Sequence, residues 1–329
     1  MRNIPKNMRT AAINRFGGPE ELTLHHLPVP ALDQNEVLIA LDTMGVGPWD
    51  ADIREGWYPA GRPRFPLVLG VDGAGAVAAV GSRVRRFKVG DLVYSYSFDN
   101  PFGKGGFYAE YVAVVSERVA HIPGRLDLKQ AGAIPTTGLT ALQGIDDALS
   151  VKKGEAVIIH GASGGVGTLA VQFAKLRGAR VLASASGRDG VALALRLGAD
   201  DAVDGRRGDI VAAARRFAPD GIDAVLGLAG GDGLERCLDT LRRGGRCAYP
   251  NGVEPEPKKR RGIDIVSYDA VAGPRQFERL GRAVDEAELE VPISDAYELA
   301  DAAKSHECLA EGHALGKIVL MVRNVITLS

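Results

Sequence analysis

"HGASGGVGTLAVQFAKLRGARVLASAS", His160–Ser186, is the stretch whose reading decides the fold. Its front end holds more glycine than a helix tolerates. A helical apolar pattern follows, and a short apolar run closes it. "AVIIHG" just before reads as a strand. Aligned on its last glycine, the loop is Ala162-x-Gly164-x-x-Gly167, the dinucleotide fingerprint with alanine in place of the first glycine. The first small residue serves the tight turn. Gly164 lets a pyrophosphate approach the backbone, and Gly167 lets the helix pack on the strand. With Ser163, Gly165 and Val166, the loop offers free N–H groups at the positive end of a helix, which suit an anion. Alone, such a glycine loop reads equally as a tight turn. Here strand, turn, helix and second strand follow in order, the context that supports a cofactor.

Outward from that loop, strand-like and helical runs alternate. "RVLASA", "DAVD", "AVLGLAG", "RCAYP" and "IDIVSY" are separated by helical patterns near Gly190–Leu197, Asp209–Phe217 and Leu234–Leu241. Repeated βα units imply a parallel sheet with helices on both faces. Before about Leu126 the chain reads instead as β, in runs such as "EVLIALDTMGV", "GAGAVAAVG" and "DLVYSY" punctuated by Gly, Pro and Asp. The tail gives helices near Pro274–Ala287 and Ala296–Leu309 and a last strand "GKIVLMV". We read that tail as returning to the first domain. The expected division is residues 1–126 and 271–329 for a discontinuous, mainly β domain and 127–270 for the cofactor domain.

The 329 residues exceed what one core usually holds, so two domains are expected. A net charge of −1 gives no field to attract nucleic acid or an anionic membrane. "EPEPKKRRG", Glu254–Gly262, is one short basic run flanked by acids and prolines, as solvated loops are. The three cysteines, Cys237, Cys247 and Cys308, stand far apart and form no disulfide framework, which suits a reducing cytoplasm. "MRNIPKNMRT" lacks the apolar core of a signal peptide, and no apolar run reaches the roughly 18 residues of a membrane helix.

Beyond the loop, an acid about 20 residues on would hold the ribose 2′-OH of NAD. Here Ser184 and Ser186 stand in that place, followed by Arg188. Two hydroxyls and a guanidinium suit a 2′-phosphate, so NADPH is the expected cofactor. Asp189 speaks against it if its carboxylate turns inward.

These residues carry a resemblance. "FPLVLGVDGAGAVAAVGSRVRRFKVGDLVYSY", "GGFYAEYVAV", "AGAIPTTGLTALQGI", "HGASGGVGTLAVQFAK" and "ALGKIVL" span nearly the whole chain. The chain resembles the medium-chain dehydrogenase/reductase superfamily, and within it the zinc-free, zeta-crystallin-like quinone oxidoreductases. The resemblance implies an α/β protein: a doubly wound parallel-sheet (Rossmann) cofactor domain plus a discontinuous, mainly β, GroES-like catalytic domain. It also implies a homodimer, which the apolar "IDIVSY" strand suits by edge pairing. Zinc-dependent relatives place a Cys near "TMGVGPWD" and a Gly-His-Glu further on. This chain has Gly47 and Gly70-Val71-Asp72 there, so no metal is expected.

In "GPWDADIREGWYP", Pro48, Asp50, Arg54, Gly56, Tyr58 and Pro59 match the resembling enzymes, while Gly47 replaces an Asn and Asp52 a Tyr. Tyr58 and Asp50 are the implied catalytic residues, Tyr58 either as donor to a developing oxyanion or as an aromatic wall of the cleft, and Pro48 is expected with the cofactor. Trp49 and Trp57 add aromatic character. Thr136 and Thr137 are expected near the nicotinamide or the phosphates, Gly230 after the fourth strand, and Pro250 and Asn251 after the fifth, since ligands sit at the carboxyl ends of such strands. Lys317, before the last strand, reads either as facing the cleft with the cofactor or as a solvated lysine. The expected activity is zinc-independent hydride transfer from NADPH to quinones or α,β-unsaturated carbonyls. The alternatives are a non-catalytic, crystallin-like NADPH-binding protein and an enoyl-thioester reductase.

Overall fold

A computed structural model describes residues 4–322. The amino-terminal strands are β1 (Asn7–Ile13), β2 (Thr23–Pro28), β3 (Glu36–Val46), β4 (Leu67–Val68), β5 (Asp72–Val80), β6 (Leu92–Tyr96), β7 (Tyr111–Val115) and β8 (Val119–His121). A short helix α1 (Pro48–Glu55) interrupts them, a feature the all-β reading of this region missed. Its first turn is pre-set by Pro48, and Gly56 closes it with φ +118.

Helices α2 (Leu128–Ala133) and α3 (Pro135–Gln143) lead into the cofactor lobe. Its strands are β9 (Ala156–His160), β10 (Arg180–Ala185), β11 (Asp201–Asp204), β12 (Ile222–Gly227), β13 (Leu241–Pro250) and β14 (Asp264–Tyr268). Its helices are α4 (Gly165–Leu176), α5 (Gly187–Arg196), α6 (Ile210–Phe217) and α7 (Asp232–Leu238). All six strands are parallel, in the order β11-β10-β9-β12-β13-β14. The order reverses between β9 and β12, which opens a crevice at their carboxyl ends, the place where such sheets bind ligands. β9 and β10 are buried almost throughout, as central parallel strands must be. β14 forms one edge.

The tail holds α8 (Pro274–Glu286), β15 (Ile293–Glu298), α9 (Ala302–Glu311) and β16 (Lys317–Met321). β16 pairs antiparallel with β3, and β15 runs parallel to β16, so the tail completes a seven-stranded sheet begun by the amino-terminal residues. The helix expected from Ala296 begins only at Ala302, because Ala296–Glu298 is strand. The largest apolar cluster runs through both lobes: Val71, Tyr94 and Val319 share it with Leu139, Val157 and Leu169.

Candidate active site

The dinucleotide loop forms where β9 meets α4. The left-handed residue of the turn is Gly161, with φ +83, one place before the expected Ala162. Alanine is tolerated at 162 because the positive φ falls on its neighbour. The amides of Gly161 and Ala162 both donate to the Ser184 carbonyl, at 3.0 Å each. A Cβ on Gly167 would stand 2.1 Å from the Gly161 oxygen and 2.7 Å from Ala162 Cα, so α4 packs on the turn only because residue 167 has none. Gly164 is different. It caps α4 with extended backbone and no side-chain bond, and a Cβ there would meet only the Gly161 oxygen, at 3.6 Å. The helix end is therefore bare and accessible, as an anion site requires. Ser163 is buried beneath it and accepts a hydrogen bond from the Ser186 amide, and Val166 packs on the core.

Against this loop lie three buried charges from three elements: Asp50 on α1, Asp72 at the start of β5 and Lys317 at the start of β16. A Cβ on Gly165 would stand 3.3 Å from Lys317 Cδ, and one on Gly45 would stand 2.5 Å from Asp72 Oδ1 and 2.8 Å from Lys317 Cε. The Lys317 ammonium lies 4.8 Å from the centre of the Trp49 ring. Asp72 Oδ2 accepts from the Thr136 amide at 2.9 Å. Asp72 Oδ1, Thr136 Oγ1 and Trp49 Nε1 are buried with no well-aligned partner among the described residues, although the Thr136 hydroxyl and the Gly45 amide lie close enough to act on Asp72. Leaving a buried polar group unpaired costs about 1–3 kcal/mol, so a cluster of them marks a place built for a further polar group. Burial raises Asp72 above the ordinary carboxylate range, against Lys317, and lowers Lys317, against Asp72 and Asp50.

Asp50 is held by backbone. Its Oδ2 accepts from the Gly47 amide at 2.9 Å and its Oδ1 from the Gly70 amide at 3.2 Å. Each oxygen accepts from one backbone amide, so Asp50 positions the Gly47–Pro48 turn. Burial pushes its carboxyl up to about 7. Behind it stands a chain of buried groups that the sequence did not announce. Tyr108, fully buried, faces Asp50 and meets His306 Nε2 at 3.1 Å, and Arg54 Nη1 meets His306 Nδ1 at 2.7 Å. A guanidinium only donates, so Nδ1 accepts and Nε2 carries the proton toward Tyr108. Burial, with Arg54 alongside, lowers His306 to about 3 and keeps it neutral.

Tyr58 lies half-buried in a row of aromatic rings drawn largely from segments 57–65 and 98–103. Its centroid is 5.0 Å from Phe102 and 6.3 Å from Phe16. Phe98 continues the row, and Trp57, 50% exposed, ends it. The Tyr58 hydroxyl has no hydrogen-bond partner among the described residues. Pro48 is exposed at the head of α1.

The remaining expected residues divide. Ser184 is buried and its hydroxyl is bonded to His160 Nδ1 at 3.1 Å, so it points into the sheet and not toward a 2′-phosphate. Ser186 is half-buried at the rim and Arg188 is exposed beside it. The close approach at Gly230 is made by the backbone of Glu254 and Pro255, within 2.6 Å of a Cβ there. Pro250 ends β13, and Asn251 is exposed, its side-chain amide donating to Asp269. The Thr137 hydroxyl is bonded to the Ala133 carbonyl. Val71 is buried and apolar. Among the described residues, no group of three or more His, Cys, Asp or Glu side chains is placed to hold a metal ion. No helix among them is long and apolar enough to cross a membrane.

Comparison with known proteins gives this geometry its relatives. Family models described as an alcohol dehydrogenase GroES-like domain and a zinc-binding dehydrogenase match residues 33–124 and 197–320. The quinone oxidoreductase of Lama guanicoe is 32% identical over 330 residues, covering 96% of this chain and 98% of that one. Among solved structures, one described as an NAD-dependent alcohol dehydrogenase is similar with a TM-score of 0.87 at 32% identity, covering 96% of this chain and 100% of that one. A mycobacterial protein solved in complex with NADPH is similar with a TM-score of 0.84 at 26% identity, covering 95% of this chain and 99% of that one. With its bare dinucleotide loop set against a buried lysine, this oxidoreductase belongs to the quinone oxidoreductase family of the medium-chain dehydrogenases/reductases.

Proposed function

We propose that the chain is an NADPH-dependent reductase that works without a metal and delivers hydride to quinones. The observation that carries this reading is the contact between the bare end of α4 and the Lys317 side chain beside Gly165. The cofactor lobe's anion site thereby opens directly onto the only buried ammonium among the described residues. The residues present fit a dinucleotide. Gly164 leaves the helix end open, and Asp72 Oδ1, Thr136 Oγ1 and Trp49 Nε1 have no well-aligned partner among the described residues. Ser163, Gly165, Val166 and Gly167 shape the loop that would hold the pyrophosphate, Pro48 and Lys317 bound the cleft, and Ser186 and Arg188 stand at the rim for the 2′-phosphate. Bound there, NADPH supplies the hydride.

The chain's own residues do the rest. A quinone that accepts hydride is left as a phenolate, which takes one proton to become the hydroquinone. The Lys317 ammonium stabilises negative charge arising in the crevice, and the unpartnered Tyr58 hydroxyl is free to donate to it. Val71 stands where zinc-dependent relatives keep a ligand, which supports catalysis by positioning and hydrogen bonding without a metal. Asp50, fixed on two amides, holds the Gly47–Pro48 turn. The row Phe16, Tyr58, Phe102, Phe98 and Trp57 favours flat aromatic substrates, because offset and edge-on ring contacts add to apolar burial. The edge strand β14 is proposed to pair with a second copy in a homodimer. The test is kcat/KM on a panel of quinones, alkenals and enoyl thioesters. The reading expects quinones to lead; a preference for enoyl thioesters would replace it.

A further inference from the structure

In this fold the choice between the two nicotinamide dinucleotides is made just after the second strand, where an acid selects the free ribose diol and a base the 2′-phosphate. Here the segment reads Ser186-Gly187-Arg188-Asp189. It contains both kinds of residue, so composition alone does not decide. The contacts do. Asp189 Oδ2 is 3.0 Å from Nε2 of His313, and Asp189 Oδ1 accepts from the Gly190 amide at 2.9 Å. Nδ1 of the same imidazole is 3.4 Å from the Ser186 hydroxyl. With its proton on Nε2 the ring donates to Asp189 and accepts from Ser186, so one side chain spans both. A Cβ on Gly187, whose φ is +75, would stand 3.2 Å from His313 Cε1, so the ring lies directly over that turn.

His313 comes from the other lobe, on the loop between α9 and β16. Both ends of the loop are tied to the cofactor lobe. Arg206 Nη2 donates to the Gly312 carbonyl at 3.1 Å, and the Gly316 amide donates to the Ser163 carbonyl at 2.8 Å. The second acid nearby, Asp204, accepts from the amides of Gly187 and Arg206 at 3.2 and 3.0 Å. Both acids are therefore engaged, while Arg188, Arg206 and Arg207 surround the same rim with exposed guanidinium groups.

We propose that His313 is a specificity-determining residue for the cofactor's 2′-phosphate: by donating to Asp189 it ties up a carboxylate that would otherwise repel that phosphate, at a rim where Arg188 and Arg206 are exposed. The proposal rests on the reading of the crevice as an NADPH site. It makes Asp189 and His313 one unit, so their substitutions should not add. His313→Ala exposes a free carboxylate. The ratio of NADPH to NADH affinity should fall about tenfold, the loss of one hydrogen bond to a charged group. Asp189→Asn in that background removes the exposed charge and should restore most of the ratio.

The measurement is equilibrium binding of NADPH, NADH, 2′,5′-ADP and 5′-AMP to the full chain, followed by titration calorimetry without any quinone. Recovery of 2′,5′-ADP binding in the double variant, with 5′-AMP binding unchanged throughout, is the expected pattern. A wild-type protein that prefers NADPH, with a ratio left unmoved by His313→Ala, overturns the role of His313 alone. A wild-type protein with equal affinity for the two dinucleotides overturns the NADPH reading itself. If Asp189→Asn fails to rescue, His313 acts by some route other than masking that acid, and the proposal fails.

Discussion

The ammonium of Lys317 lies 4.8 Å from the centre of the Trp49 ring, with Asp50 and Asp72 as its buried counter-charges. Lys317→Met keeps the stem and removes the charge, leaving the buried Asp72 carboxyl without its nearest cation. Breaking such a group costs about 3–5 kcal/mol. Urea unfolding should show that loss, with NADPH affinity falling alongside. A change within the surface range of about 0.5 kcal/mol would contradict the assignment.

Two glycines of one loop should behave oppositely. Gly167→Ala drives a methyl into the Gly161 carbonyl at 2.1 Å, an overpacking cost of about 1–3 kcal/mol or more. Gly164→Ala meets nothing closer than 3.6 Å and keeps an ordinary φ of −82, so thermal unfolding should barely move. Its methyl would intrude where the proposed site holds the pyrophosphate, so NADPH affinity should still drop. Unaltered affinity in Gly164→Ala would remove that loop from cofactor binding.

Asp50 ties stability to pH. Its folded carboxyl is raised to about 7 from an ordinary 3.8, so the native state holds a proton that the unfolded chain has released between those values. Stability from this group is therefore greatest in acid and declines as pH rises through that window. Asp50→Asn should flatten this component. It also leaves the Gly47 or Gly70 amide facing an NH₂ group, at a cost of about 1–3 kcal/mol. The comparison is the difference in unfolding free energy between variant and wild type across that range; a difference independent of pH would exclude the titration.

Tyr58→Phe preserves the ring contacts with Phe16 and Phe102 and removes a hydroxyl that has no hydrogen-bond partner among the described residues. If that hydroxyl meets the developing oxyanion, kcat should fall by about a hundredfold on the less electrophilic enals. Quinones, which accept hydride readily, should be affected less. Unchanged kcat on both classes would leave Tyr58 as a wall of the opening.

What was legible in the sequence was local. The loop at 161–167, strand β3 and strand β16 could be read because glycine spacing and alternation are short-range signals. Ser184 and Ser186 looked equivalent by strand period, yet β10 ends at Ala185, and Ser186 turns out as the cap of α5 while Ser184 stays inside. Ala296–Glu298 read as helix because "ISDAYE" has no strong period, and pairing with β16 decides its state. The Tyr108–His306 and Arg54–His306 contacts join residues 198 and 252 positions apart, so no window of sequence contains them. The His313–Asp189 pair, 124 positions apart, was hidden for the same reason.

The most direct test of the central claim is the rate at which the purified protein oxidises NADPH in the presence of a flat aromatic quinone, measured before and after exhaustive chelation with metal content determined in parallel. The account predicts saturable turnover, hydroquinone formed in step with NADPH consumed, and the same rate after chelation. NADPH that binds but is not consumed, or turnover that disappears with a stoichiometric metal, would contradict it.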